Sequence, residues 1–407
     1  MPGPLCLDLT RLLSRVGHGP LTGVDRVERA YADWVLATDP DPRFLVRTSR
    51  GYALFGREGA QAFLKALDDN GPWGRPDLLS RLTGKAANPR HAAEALLRRH
   101  ALARCLPGRL LPCLSDHLRE NTTYLNIGHS NLTDQVLKAV RALPDIRAAV
   151  FIHDVIPLEY PQYSSPGFPE HFAVMMARVM DCADMILCNS DDTAARLKSR
   201  FDTLPPVTSA HLGLSDLVPA EPLPSPIATD IPRFVTLGTI EPRKNHALLL
   251  DLWEGLPEEN RPHLHIVGHR GWADASLLAR LDRHRLRNVA IFEHNGLSDG
   301  QVTGLLAGSH GLLFPTLAEG FGYPAAEAAR LNVLPICADL PVLREVLGDC
   351  GVYLDPLNAY SWLETIKKRS AVNLAAESLP AYDAPTWQAH FETVAAALWP
   401  HGHEGEA

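Results

Sequence analysis

From Arg233 onward, short continuous apolar runs alternate with stretches whose apolar residues recur every three or four positions. Residues 234–238, 265–268, 289–292, 311–314, 334–337 and 351–354 read as buried strands. Helices are predicted over 245–253, around 277–284, from Ser298 and from Pro324. Such alternation specifies right-handed βαβ units around a parallel sheet. The first half repeats the theme with longer interruptions, its apolar runs falling at 5–9, 44–46, 124–127, 149–152 and 185–188. Between the halves, Val218 to Pro226 holds four prolines, which forbid regular structure and make a stiff connector. The expected organisation is an α/β chain of two Rossmann-like domains. Residues 1–215 form the first, with a helical insertion at about 50–118. A Pro-rich linker spans 216–232, and the second domain spans 233–375. Within 376–407, a helix over 386–398 packs back on the first domain and a tail follows.

Where strand 311–314 ends, Ala318-Glu319-Gly320-Phe321-Gly322-Tyr323-Pro324-Ala325-Ala326-Glu327 places two carboxylates, with seven residues between them, around a glycine-rich turn. Proline suits a first helical position, and glycines let backbone N–H groups converge on an anion at the helix start. Glu319 then faces whatever hangs from the phosphate, and Glu327 can accept hydrogen bonds from a diol such as ribose. The residues equally suit an ordinary first-turn acid and loop glycines. The position at a strand's carboxyl end favours the ligand seat.

Composition narrows the classes. The 407 residues allow two cores, and 46% hydrophobic with 21% charged residues is ordinary for a globular enzyme. A formal charge of −8 disfavours a general nucleic-acid binder. Seven cysteines, Cys6, Cys105, Cys113, Cys182, Cys188, Cys337 and Cys350, lack the spacing of zinc sites or a redox dithiol. The start of the chain lacks an export-like apolar stretch, and no run of about 18 apolar residues occurs. A cytoplasmic protein with reduced thiols is expected, soluble or peripheral at the inner face of a membrane. Residues 75–109 carry eight Lys/Arg against Asp77 and Glu94, with leucines interspersed. A solvated helical hairpin is the plain reading, and a basic contact with anionic lipid the sharper one.

Candidate chemistry gathers at strand ends. Gly238-Thr239-Ile240-Glu241-Pro242-Arg243-Lys244-Asn245 sets two cations before a helix capped by Asn245, placed to clamp one diphosphate. His153 and Asp154 follow the strand ending at Ile152 and so face the same kind of cleft. Gly23, before a helix from Val24, lets backbone approach a diphosphate from the opposite wall or is a simple turn glycine. Asp25 and Arg26 line an acceptor side or merely cap and pair on that helix. Ser190 reads as the N-cap of the next helix rather than a nucleophile. No Gly-x-Ser-x-Gly elbow occurs, and no Gly-x-Gly-x-x-Gly fingerprint follows a strand.

The stretches "LGTIEPRKNHALLL", "HLHIVGHRGW" and "LLFPTLAEGFGYPAAEAARLNVLPICADLPVLREVLGDCGVYLDP" resemble glycosyltransferase family 4, retaining enzymes of GT-B fold, over nearly the whole C-terminal half. "TGVDRVERAYADWV", "YLNIGHSNL", "FIHDVIPLEYPQY" and "ILCNSDDTAARL" resemble its mannosyl- and rhamnosyltransferase-like members, with 50–118 unmatched. The resemblance implies a first domain for the acceptor and a second for a nucleoside-diphosphate sugar. It implies that Arg243 and Lys244 hold the diphosphate, Glu327 the ribose and Glu319 the transferred sugar. The backbone of Phe321, Gly322 and Tyr323 would touch sugar and phosphate. His153 would meet the donor sugar at the reaction centre, with Asp154 orienting it or the acceptor hydroxyl. The loop of Asn295, Gly296 and Leu297 would contact the base. The expected acceptor is a saccharide or lipid-linked saccharide of surface polysaccharide or glycolipid assembly. No metal or other cofactor is expected, because cations and a helix N-terminus can neutralise the departing diphosphate. A non-hydrolysing nucleotide-sugar epimerase and a non-catalytic sugar-nucleotide-binding protein are the rival readings.

Overall fold

A computed structural model describes residues 3–19, 21–69, 71–74, 77, 88–215, 218–223, 230–374 and 377–400. Two sheets organise them. In the first, β1 (Leu5–Asp8), β2 (Arg43–Thr48), β5 (Thr123–Asn126), β6 (Arg147–Ile152), β7 (Met185–Cys188) and β8 (Val207–Ser209) run parallel. Strands β3 (Gly51–Phe55) and β4 (Ala101–Cys105) extend the β2 edge antiparallel, giving the order β4-β3-β2-β1-β5-β6-β7-β8. The second sheet is parallel throughout. It contains β9 (Arg233–Leu237), β10 (His263–Val267), β11 (Ile291–His294), β12 (Leu312–Phe314), β13 (Pro335–Ala338) and β14 (Val352–Leu354), ordered β11-β10-β9-β12-β13-β14. Strands covered on both faces bury every side chain. Hence β1, β5, β10 and β13 are buried along their whole length.

Several expectations are corrected. The insertion at 50–118 is not purely helical, because it contributes β3 and β4 to the sheet. The turn into β3 needs Gly51, whose φ of 138° brings it against the Cys105 carbonyl, and Tyr52 to Phe55 then bury completely. Within 75–109 the helix Pro89–Arg99 is followed by the edge strand β4; residues 75, 76 and 78–87 lie outside the described residues. β11 starts two residues later than its apolar run, since Asn288 turns the chain at φ 58° and leaves Val289 65% exposed. Asn245 does not cap its helix: it sits at φ 54° and sends Nδ2 to the Pro356 carbonyl, 3.2 Å away.

Of the linker, 216, 217 and 224–229 lie outside the described residues, and Glu221 bonds the second domain through its N–H to Gly300 O at 2.9 Å. The helix Trp387–Leu398 packs on the first domain. Phe391 stacks on Trp34 at 4.9 Å, His390 Nε2 meets the Tyr31 hydroxyl at 2.9 Å, and Arg147 donates to Leu398 O at 2.8 Å. Residues 401–407 lie outside the described residues. Among those described, no helix is long and apolar enough to cross a membrane.

Candidate functional site

The carboxyl ends of both sheets face one another across a cleft. On the second domain, the short turn Pro242–Lys244 after β9 and the loop after β12 meet in one ion cluster. Arg243 pairs with Glu319 and with Glu241, each at 2.7 Å, and Lys244 Nζ reaches the same Glu319 oxygen. Thr316 Oγ1 donates to that oxygen at 3.0 Å, and Lys244 lies 4.5 Å above the Phe314 ring. Burial opposes charge on Glu319, but Arg243 and Lys244 outweigh it and hold the carboxyl below its usual range. The site is therefore a fixed array of two cations and two carboxylates within the domain.

The helix Tyr323–Arg330 starts from Gly322, whose φ of 90° suits only glycine comfortably. Opposite it starts the helix Gly23–Thr38, and a Cβ built on Gly23 would lie 3.8 Å from the Tyr323 ring. Two helix N-termini thus converge on one cleft, the arrangement that attracts an anion. Phe321 is buried, its ring 5.3 Å from that of Tyr323, whose hydroxyl donates to Gly213 O at 3.3 Å.

Glu327 is engaged from the other domain: Arg26 Nη1 donates to it at 2.7 Å, and the Arg26 guanidinium lies 5.2 Å from the Tyr323 ring. Arg26 therefore pairs across the domains with Glu327 rather than only along its own helix. Asp25 does not line a cleft. It is fully buried, accepts from Thr22 N at 2.8 Å and pairs with Arg11 at 2.7 Å and Arg15 at 3.0 Å. Beside Glu327 a cavity of about 130 Å3 is lined by Arg26, Ser215, Asp299, Thr303 and Arg330 among others. Leu297 does not line it; it is half-buried against the core, with Asn295 and Gly296 exposed.

On the first domain, His153 follows β6 and His129 follows β5, their rings 5.3 Å apart. Each Nε2 faces a backbone carbonyl, of Ile127 at 2.8 Å and of Phe151 at 2.5 Å. A carbonyl can only accept, so Nε2 carries the proton in both and Nδ1 is left with a lone pair. Burial pushes both imidazoles down, His129 to about 4 and His153 well below its usual value, so both are neutral at pH 7. Asp154 accepts from Ile156 N at 3.0 Å; burial raises its pKa while Arg243 pulls the other way. With Arg11, Trp272, Phe168, Phe172, Glu241 and Arg243, these groups line a cavity of about 350 Å3 between the domains. Sequence reasoning did not assign His129, Arg11 or Trp272 to the site; the strand end before His129 was the available signal.

The two walls meet at Gly320. A Cβ there would lie 2.4 Å from the His153 carbonyl oxygen. Ser190, which caps the helix Asp191–Arg200 by accepting from Thr193 N, donates to Gly320 O at 3.1 Å, and Asn189 donates to His153 O at 2.8 Å. Thus Glu319, one residue before Gly320, is tied to His153 and Asp154 through backbone contact.

Residues 220–371 match the family model described as Glycosyl transferases group 1. The serotype-specific mannosyltransferase WbdA of Escherichia coli is 32% identical over 224 residues, covering 51% of this chain and 28% of WbdA. The Escherichia coli O-antigen chain mannosyltransferase B is 29% identical over 222 residues, covering 52% of this chain and 58% of that protein. The chain thus spans less than two thirds of either relative. Sucrose-phosphate synthase from Thermosynechococcus elongatus superposes with a TM-score of 0.60 at 15% identity, covering 98% of this chain and 95% of that one. The Anabaena protein HepE, solved in complex with UDP-glucose, gives 0.58 at 12% identity over 97% and 94%. The fold is GT-B.

Proposed function

We propose that this chain, a GT-B protein whose residues 220–371 match the group 1 glycosyl transferase model, moves a hexose or deoxyhexose from a nucleoside diphosphate to an acceptor hydroxyl, with retention at the anomeric carbon. The observation that carries the reading is the Arg243, Lys244 and Glu319 cluster, set beside two converging helix N-termini and against His153 through Gly320. Relatives named as mannosyltransferases, two of them of O-antigen chains, favour mannose as the sugar and a saccharide or lipid-linked saccharide of surface polysaccharide as acceptor.

In this reading Arg243 and Lys244 donate to the diphosphate, Glu327 accepts from the ribose hydroxyls and exchanges its Arg26 partner for them, and Glu319 orients the sugar. The bond from the anomeric carbon to the leaving phosphate oxygen breaks as the acceptor oxygen bonds the same face. The acceptor proton passes to the departing phosphate. Neutral His153 offers Nδ1 to a sugar hydroxyl, and Asp154 orients that sugar or the acceptor. Positioning and preorganised charge supply the catalysis. Because two cations and two helix N-termini already face the leaving group, no metal is required, and turnover persists in excess chelator. Seven free thiols fit a reducing, cytoplasmic setting. Contact with anionic membrane would come through exposed Leu102 and Leu106 beside Arg104 and Arg109.

The test is release of nucleoside diphosphate from a panel of sugar nucleotides, with and without saccharide acceptors. Acceptor-dependent release is expected, and Arg243→Ala or Lys244→Ala should lower kcat/KM roughly 100-fold or more. An isomerised donor without acceptor would identify an epimerase, and unaffected turnover in both variants would remove the clamp. Glu319→Gln should lower kcat with little change in donor affinity.

A further inference from the structure

The carboxyl edge of the first sheet holds a second concavity, of about 800 Å3, outside the site described above. Among its lining side chains are four arginines, Arg47, Arg50, Arg90 and Arg178, against one carboxylate, Asp134. In a chain of formal charge −8 this is a local inversion of sign. Arg178 Nε pairs with Asp134 at 2.9 Å. Arg90 stands 3.6 Å from Glu94, whose oxygens already accept from Ser49 N at 3.0 Å, Ser49 Oγ at 2.8 Å and Arg98 at 3.3 Å. Arg47 and Arg50 are exposed and have no carboxylate partner among the described residues. The Ser49, Thr133 and Gln135 side chains add hydrogen-bonding groups to the same wall.

The same elements line this concavity and the reaction cavity. The loop after β5 gives His129 to one and Thr133 to the other. The helix Phe168–Cys182 gives Phe168 and Phe172 to one and Arg178 to the other. Six residues at 1.5 Å each put Arg178 about 9 Å beyond Phe172 along that helix. Arg47 N donates at 2.9 Å to Thr10 Oγ1, next to Arg11 of the reaction cavity.

We propose that this arginine-lined concavity is an acceptor subsite for a phosphate or diphosphate ester carried by the acceptor, at a fixed distance from the hydroxyl that is glycosylated. The assignment rests on the glycosyl-transfer reading above for its place in the reaction. Guanidinium forks match phosphate oxygens in pairs, and two of the four are free to do so. The phosphate is borne either by a lipid carrier or by a saccharide. Both present the same oxyanions.

The experiment compares the full-length protein with its Arg47→Ser/Arg50→Ser double variant, whose changed residues are exposed and outside the reaction cavity. Inorganic pyrophosphate is titrated calorimetrically into both and into Arg243→Ala. The expected result is a binding event weakened at least tenfold in the double variant and retained in Arg243→Ala. Equal pyrophosphate affinity in wild type and double variant, or loss in Arg243→Ala alone, overturns the subsite. In turnover, KM for a phosphate-bearing acceptor should rise at least tenfold in the double variant, with kcat and KM for a neutral saccharide unchanged. Equal losses with both acceptors overturn the proposal. An effect shared by a saccharide phosphate and an alkyl-diphosphate-linked saccharide supports recognition of the phosphate alone; one confined to the alkyl-linked acceptor supports a lipid-borne phosphate. If no acceptor is glycosylated, the transferase reading fails and the pyrophosphate titration still decides the subsite.

Discussion

Gly320 brings the two walls of the cleft into backbone contact. With its Cβ position 2.4 Å from the His153 carbonyl oxygen and 3.0 Å from Asp154 Cβ, Gly320→Ala forces the domains apart locally. The expected outcome is at least a tenfold fall in kcat/KM with a circular dichroism spectrum like wild type; full activity would show that the contact is dispensable. The neutral histidines give a signed pH effect. His129, lowered to about 4 mainly by burial, binds fewer protons folded than unfolded, so stability falls as pH drops from 6.5 toward 4. His129→Gln should flatten that limb in a pH series of thermal midpoints. Glu319, Arg243, Lys244 and Glu327 were legible as residues because strand end, glycines and charges sit close in sequence. Their partners were not: Arg26 lies 301 positions from Glu327, and no local pattern announces such a pair.

Helix starts were well marked by capping chemistry, and the structure honours Ser190, which accepts from Thr193 N at 3.1 Å. Ser190→Ala should cost about 1–2 kcal/mol in chemical denaturation, since the cap and the bond to Gly320 O are lost together. Asn245 has the right residue type at the right place, yet a left-handed backbone turns its side chain toward Pro356 instead. Inside the 50–118 insertion β3 carries a short buried apolar run, Tyr52 to Phe55, whereas β4 was illegible for another reason. β4 alternates half-buried and exposed residues at a sheet edge, so it lacks a continuous apolar run, and the surrounding arginines mask it. The helix Trp387–Leu398 closes the first domain through Phe391, stacked between Trp34 and Trp387. Phe391→Ala should lower stability by about 3 kcal/mol, read by the same denaturation assay.

Across the whole molecule, Glu345 of the second domain accepts from the N–H groups of Asp191 at 2.7 Å and Asp192 at 2.9 Å, capping a first-domain helix from outside. His211 Nε2 meets the same carboxylate at 2.6 Å. The Glu345 hydrogen bond raises the His211 pKa. On Glu345, burial raises the pKa, but hydrogen bonds from His211, Asp191 and Asp192 bring it below normal. The His211 contribution is complete below pH 6.5 and is lost as pH rises through its raised value; that of Glu345 is present above pH 4.5 and is lost as pH falls through its lowered value. Stability against pH should therefore show an alkaline decline that His211→Gln removes. The alternation of apolar runs, the glycine turn and the paired cations were enough to specify two βαβ domains and one wall of the cleft. Those features are local: they depend on side-chain period, backbone freedom and charge within a few residues. The opposite wall, the Arg26 to Glu327 pair, the Gly320 contact and the arginine-lined concavity required the folded chain. Each joins segments far apart in sequence: packing of one sheet's carboxyl edge against the other's sets the contacts across the cleft, and the strand order of the first sheet alone gathers the arginines.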